Sequence, residues 1–206
     1  MRGIIRDREI VVVDISLLKI VLLILSYGFI GASLKYIDQS FDEAIYDKNV
    51  AIALSLICGL LMAVLIALDS SSAIIFISII FGVAISRKID NIAFYLGVTV
   101  VFLISGAYRY FFSSISIDWA SVASLSLAGF LDELGNDLSD KNYFRGFLKF
   151  FFKERFLLKL FIFGFVIMGI FHWAYLIAFL SFDLAYALVD RISSKNLLFL
   201  RQSRVI

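Results

Sequence analysis

The sequence predicts an all-α polytopic membrane protein: a transmembrane helical bundle of about seven spans forming a single domain over residues 1–206. Three observations carry that prediction. Hydrophobic residues make up 62% and charged residues 17% of the 206, with a mean hydropathy of +0.97, whereas soluble domains sit near half apolar and a quarter charged. Apolar runs of the ~20 residues needed to cross a ~30 Å bilayer core recur along the chain. Lys and Arg gather in alternate connections between those runs, as they do in cytoplasmic loops.

The spans follow in order. The segment before the first, MRGIIRDREIVVVD, mixes three arginines with three acids and shows no small-residue cleavage site, so a removable signal peptide is not expected. Residues 15–34 form an apolar run interrupted only by Lys19, and the polar segment KYIDQSFDEAIYDKN (Lys35 to Asn49) follows. Residues 50–68 contain no charge. DSSS (Asp69 to Ser72) is expected as a polar turn, with a short third span over 72–86. Arg87, Lys88, Asp90 and Asn91 mark the next boundary before a span at 92–108. The fifth, 116–131, is short and rich in the small residues that allow close helix packing. Residues 156–188 are too long for one span, and His172 with Trp173 near the middle suggests an interfacial break between spans at 156–171 and 174–190. Trp119 is expected at an interface for the same reason.

Counting cations tests this order. Fourteen Lys and Arg residues fall in the connections after spans one, three, five and seven, against Arg2, Arg6, Arg8 and Arg109 in the others. The expectation is a multi-pass cell-membrane protein with its acidic and basic connections on the cytoplasmic side. A net charge of +2 excludes a nucleic-acid partner as an expectation, and oligomeric state has no signature. The single cysteine, Cys58, sits mid-span without a basic neighbour and reads as a packed thiol. Serine-rich stretches such as Ser70 to Ser72 have no adjacent base, so serine nucleophile chemistry is not expected. With no proline in the chain, helix breaks fall to Gly, Ser or polar residues.

Eight of the seventeen carboxylates fall in Asp38 to Asp47 and Asp132 to Asp140. Asp38 and Asp42 share a helical face; Asp47 joins them only if the helix ends near Ala44. Glu133, Asp137 and Asp140, at i, i+4 and i+7, form one acidic stripe with Asp132 a step around. Two readings fit these segments. They are solvated interhelical loops balanced by Lys141 and Arg145, or they hold a hard divalent cation such as Mg²⁺, which favours carboxylate oxygens and completes its shell with water and phosphate. One histidine and one cysteine leave no basis for a softer metal. Beyond the second segment, Lys141, Arg145, Lys149 and Lys153 recur every four residues among phenylalanines, the pattern of a helix in the headgroup layer. Asp183, with Tyr186 and Asp190 on its helical face, is an ionisable group within an apolar run and so a further functional candidate.

Two acidic motifs on one membrane face, separated by four hydrophobic segments, resemble the UbiA-type intramembrane prenyltransferases. YIDQSFDEAIYDK stands for the family's first motif: Asp42 matches its second acid, Asp38 occupies its Asn position, Gln39 replaces its first Asp, and Asp47 is one residue late for the last. In LDELGNDLSD, Glu133 and Asp137 match the two acids of the second motif and Asp140 extends it. The resemblance is to a diverged and shortened member, since the family has about nine helices and an Arg-Pro step that this chain lacks. It implies a Mg²⁺-dependent transferase moving an isoprenyl group from a lipid-soluble prenyl diphosphate to an acceptor. Asp38, Asp42, Asp47, Glu133, Asp137 and Asp140 would hold metal, with Lys48, Lys141 and Arg145 on the phosphate. The alternative from a different class is a non-catalytic membrane protein, a small-solute or ion transporter or an assembly factor, in which Asp183 and Asp190 line a polar path.

Overall fold

Three helices of this chain begin at an aspartate that caps them. In the computed structural model, which describes the backbone of residues 2–112 and 116–203 and the side chains of 17–112 and 116–195, Asp47, Asp69 and Asp118 stand in extended backbone. Each accepts hydrogen bonds from amides in the first turn of the helix that follows, satisfying donors that otherwise have no partner. Eight α-helices and no strand occur among the described residues: α1 Arg2–Asp42, α2 Lys48–Leu68, α3 Ser70–Ile85, α4 Ile92–Phe112, α5 Trp119–Asp140, α6 Gly146–Lys153, α7 Phe156–Ile167 and α8 Trp173–Ser203.

Each of the seven expected spans falls on one of these helices, but they are not equally long or apolar. Four are long and apolar enough to cross a bilayer: Leu17–Asp42 of α1, α2, α4 and Trp173–Lys195 of α8. α3 and α7, with 16 and 12 residues, reach only ~24 and ~18 Å at 1.5 Å per residue. α5 has 22 residues but turns acidic in its second half. The expected DSSS turn is a single residue: Asp69 closes α2 through its amide to the Leu65 carbonyl (3.1 Å) and caps α3, whose first turn contains Ser70 to Ser72. The break near His172 is present, with Gly169 at φ +73° and the His172 ring nitrogen accepting from the Ala174 amide.

Small residues decide how the helices pair. α1 lies along α8, α2 along α4, and α3 along α5. A Cβ at Gly31 would overlap the backbone carbonyl of Phe182, and one at Gly59 would meet the Gly97 carbonyl oxygen at 2.6 Å. Such contacts let apolar helices gain dispersion energy where lipid offers no hydrophobic drive. α3 is the central element: Ala73 to Ser78 are all buried, as expected for a helix apolar all round. Ser78 donates to the carbonyls of Ile74 and, across the interface, Val122.

The outer surface is apolar as well. Leu18, Leu22, Leu25 and Phe29 of α1, Ile57 and Leu60 of α2, Leu103 of α4, and Leu180, Leu184 and Leu188 of α8 are all exposed. A soluble monomer does not carry so continuous an apolar girdle; a lipid environment accounts for it.

The two ends of the bundle are chemically distinct. At one, Tyr27 donates to Ser72 (3.0 Å) and Tyr175 to Asp69 (2.7 Å), tying α1 and α8 to the α2–α3 junction. At the other, ion pairs join α1, α5, α8 and the connections before α4 and α7. Both acidic segments come to this second end. Of the cations counted along the sequence, the side chains of Arg2, Arg6, Arg8, Arg201 and Arg204 lie outside the described residues.

Candidate functional site

The ion-paired end encloses a cavity of about 160 Å³. Its floor is apolar, built from residues such as Leu34, Met62, Ile80, Phe94, Leu158 and Phe179. Its mouth is charged, with Asp38, Asp132, Glu133 and Asp183 against Lys88 and Arg155. One residue from the first acidic segment and two from the second therefore line the same space. A second, more polar basin of about 280 Å³ adjoins it, sharing Arg155, Asp183 and Tyr186 and adding Lys35, Asp140 and Asp190.

Local structure explains how each charge is held. Glu133, buried, takes Lys88 Nζ on Oε2 at 2.6 Å and Arg155 Nη2 on Oε1 at 2.9 Å. Lys88 also reaches Asp137 Oδ1 at 2.9 Å. Burial opposes the Lys88 ammonium, but the hydrogen bonds and charges of Glu133 and Asp137 outweigh it and hold its pKa above the ordinary lysine value. Arg155 sits at a left-handed residue, φ +50°, between α6 and α7. Its guanidinium lies 5.1 Å from the Tyr186 ring centre, and Lys35 approaches the same ring at 5.2 Å. Lys35 also bridges Asp38 (2.8 Å) and Asp190 (3.0 Å), while Lys159 pairs with Asp183 at 2.8 Å.

The expected site residues distribute unevenly over this geometry. Asp38, Glu133 and Asp183 line the cavity; Asp140, Tyr186 and Asp190 line the basin; Asp137 meets Lys88 at the rim. Asp42 is exposed at the last residue of α1. Asp47 caps α2, accepting from the Asn49 and Val50 amides, so α1 ends early enough to free it but the cap occupies it. The expected phosphate partners stand elsewhere: Lys48 lies over the Phe41 ring, Lys141 closes α5, and Arg145 precedes α6. The cations at the mouth are instead Lys88, Arg155 and, through Asp183, Lys159.

A metal implied by the acidic motifs meets a specific obstacle here. No group of three or more His, Cys, Asp or Glu side chains converges among the described residues, and Asp38, Glu133 and Asp137 each already hold a lysine or arginine. As arranged, these donors do not fit a preformed Mg²⁺ site.

Fold and site together define a class: an all-helical bundle with lipid-length apolar helices and an amphiphilic cavity at one end. Compared with protein-family models, with curated proteins and with solved structures, the chain finds no match.

Proposed function

We propose that the chain is an integral membrane protein whose end cavity binds a lipid-soluble amphiphile, with the apolar chain on the floor and the charged head at the mouth. The observation that carries this reading is the composition of that one cavity, in which Leu34, Met62 and Phe179 lie below Asp38, Lys88, Glu133 and Arg155. Such sites bury an apolar body and orient it with a few polar groups.

The finer reading is that the amphiphile is an isoprenyl diphosphate and the protein a UbiA-like transferase. Its support is that Asp38 and Glu133, one from each acidic motif, face the same cavity. Lys88 and Arg155 are the donors available to a phosphate head, Arg155 as a planar fork and Lys88 as a point charge. The lining carries four acids against two bases, so an anionic head either brings countercations or takes Lys88 and Arg155 from Glu133.

The test is binding of geranylgeranyl diphosphate to the purified full chain, against geranylgeraniol and inorganic diphosphate, each with and without Mg²⁺. The expected result is saturable binding of the diphosphate at least about tenfold tighter than the alcohol, a difference of ~1.4 kcal/mol. Phe179→Trp, which fills the floor, is expected to abolish it. Mg²⁺-dependent binding supports transferase chemistry, and metal-independent binding supports a carrier or sensor of the same lipid. Equal binding of alcohol and diphosphate, or none, overturns the isoprenyl diphosphate reading. It favours the transport alternative, in which the Lys159–Asp183 pair and the adjoining basin form a polar path.

A further inference from the structure

We infer that α6 with its flanking residues is a lipid-docking surface, lying in the headgroup layer and selecting anionic over zwitterionic lipid. Left-handed residues mark its limits, Asn142 before it, Gly146 at its first position and Arg155 after it, at φ +60°, +58° and +50°. It packs mainly on α5 and α7, and none of its residues is buried. Its inner side is a phenylalanine cluster: the Phe152 ring lies against the bare Cα of Gly135, stacks on Phe144 and meets Phe151.

The outer side is exposed. Phe147 is 74% exposed, Tyr143 73%, Phe150 55% and Leu148 52%. Phe147 and Leu148 at the start of an eight-residue helix are too much apolar surface for water and too short a stretch to span. Charge identifies the occupant. From Lys141 to Lys153 the chain carries Lys141, Arg145, Lys149 and Lys153 and no acid, although acids crowd the adjoining end of α5. Lys141 and Arg145 lie outside the helix, so the four cations do not form the single helical ridge that their spacing predicts. They alternate along the chain with the exposed aromatics instead, Lys149 donating to Asn142 and Lys153 standing at the edge of the polar basin, and basic residues interleaved with exposed aromatics draw anionic headgroups to an interfacial segment.

The test places a tryptophan at position 147 (Phe147→Trp) in a full chain carrying Trp119→Phe and Trp173→Phe. The protein is reconstituted in phosphatidylcholine bilayers containing brominated phosphatidylcholine or brominated phosphatidylglycerol at equal mole fraction. Quenching by the brominated phosphatidylglycerol is expected to be at least about twofold stronger, and the excess is expected to vanish at high salt. A tryptophan at the lipid-facing position 103 (Leu103→Trp) is expected to be quenched equally by both. Quenching at 103 but not at 147, or equal quenching at 147, overturns the proposal. A second measurement leaves the aromatic residues native: phosphatidylglycerol retained per chain after detergent extraction is expected to fall about twofold or more when Lys141, Arg145, Lys149 and Lys153 are replaced by Gln. Unchanged retention overturns it equally.

Discussion

Asp132 of α5 accepts hydrogen bonds from the backbone amides of Leu157 and Leu158, at 3.1 Å on Oδ1 and 2.7 Å on Oδ2. The carboxylate of one helix thus serves as the N-cap of another. α7 needs this help because Arg155, the residue before it, is left-handed and makes no side-chain cap bond. The negative charge also meets the positive end of the α7 dipole. Asp132 is 1% exposed, so the acid that neighbours Glu133 in sequence has a structural task at the cavity wall.

Replacing Asp132 by Ala removes both acceptors and leaves two amides of α7 without partners, a loss expected at ~1–3 kcal/mol. Asp132→Asn keeps one carbonyl acceptor and is expected to cost less. The check is reversible unfolding of the purified protein in detergent with graded SDS. Equal stability of Ala, Asn and native chains would remove the trans cap from the account.

Lys88 holds Glu133 and Asp137 together from the α3–α4 connection. Lys88→Met leaves a buried Glu133 with Arg155 alone, and breaking such a pair is expected to destabilise by a few kcal/mol. Glu133→Gln in the same chain should recover part of that loss, a coupling that a double-mutant cycle reads directly. The pH dependence has a definite sign. Because the folded-state pKa of Lys88 lies above its ordinary value of 10.5, the pair contributes in full below pH 10.5 and is lost as pH rises through the folded-state value. The stability gap between native and Lys88→Met should therefore be flat from neutral pH to about pH 10 and close above it.

Apart from α1, helix starts were more legible than helix ends. The spans expected from 50, 92, 156 and 174 begin within two residues of the first residues of α2, α4, α7 and α8. Hydropathy marks the lipid-facing length, though, and a helix continues past it. α1 begins at Arg2 against an expected 15, α5 reaches Asp140 against 131, and α8 reaches Ser203 against 190. The acidic stripe on α5 was readable because i, i+4, i+7 spacing is local geometry. Its partners were not, since Lys88 lies 49 residues from Asp137 in the chain. In the sequence Lys88 marks a span boundary and Arg155 is one of the cations that follow the fifth span. Only the packing of α3 beside α5, and the turn before α7, brings them to Glu133.

Two glycines of α1 face α8: a Cβ at Gly28 would meet the movable Ser181 hydroxyl, and one at Gly31 would meet backbone. The obstacle at Gly31 is the fixed one. The Gly31 Cα faces the Phe182 backbone so closely that even Ala requires the helices to separate. Gly31→Leu is expected to destabilise by ~3 kcal/mol or more, beyond ordinary overpacking because the obstacle is backbone. Gly106 has nothing within 4 Å of an added Cβ, so Gly106→Leu supplies a control of equal size. Replacing a helical glycine there should be neutral or stabilising by up to ~1 kcal/mol. The comparison is made by the same SDS unfolding, and similar losses at both positions would refute the close-approach argument.

At the opposite end, Asp69 does three things at once: its amide closes α2, its Oδ2 caps α3 through the Ser72 amide at 2.6 Å, and its Oδ1 accepts from the Tyr175 hydroxyl. Tyr175→Phe removes only the last of these and is expected to cost about 1 kcal/mol. Asp69→Ala removes the cap as well and leaves the Tyr175 hydroxyl with Ser71 alone, so ~1–3 kcal/mol is expected. Because both act on one hydrogen bond, the double variant should be no worse than Asp69→Ala by more than ~0.5 kcal/mol. Strict additivity in SDS unfolding would show that the two residues do not share the bond and that α8 is anchored to the α2–α3 junction by other contacts.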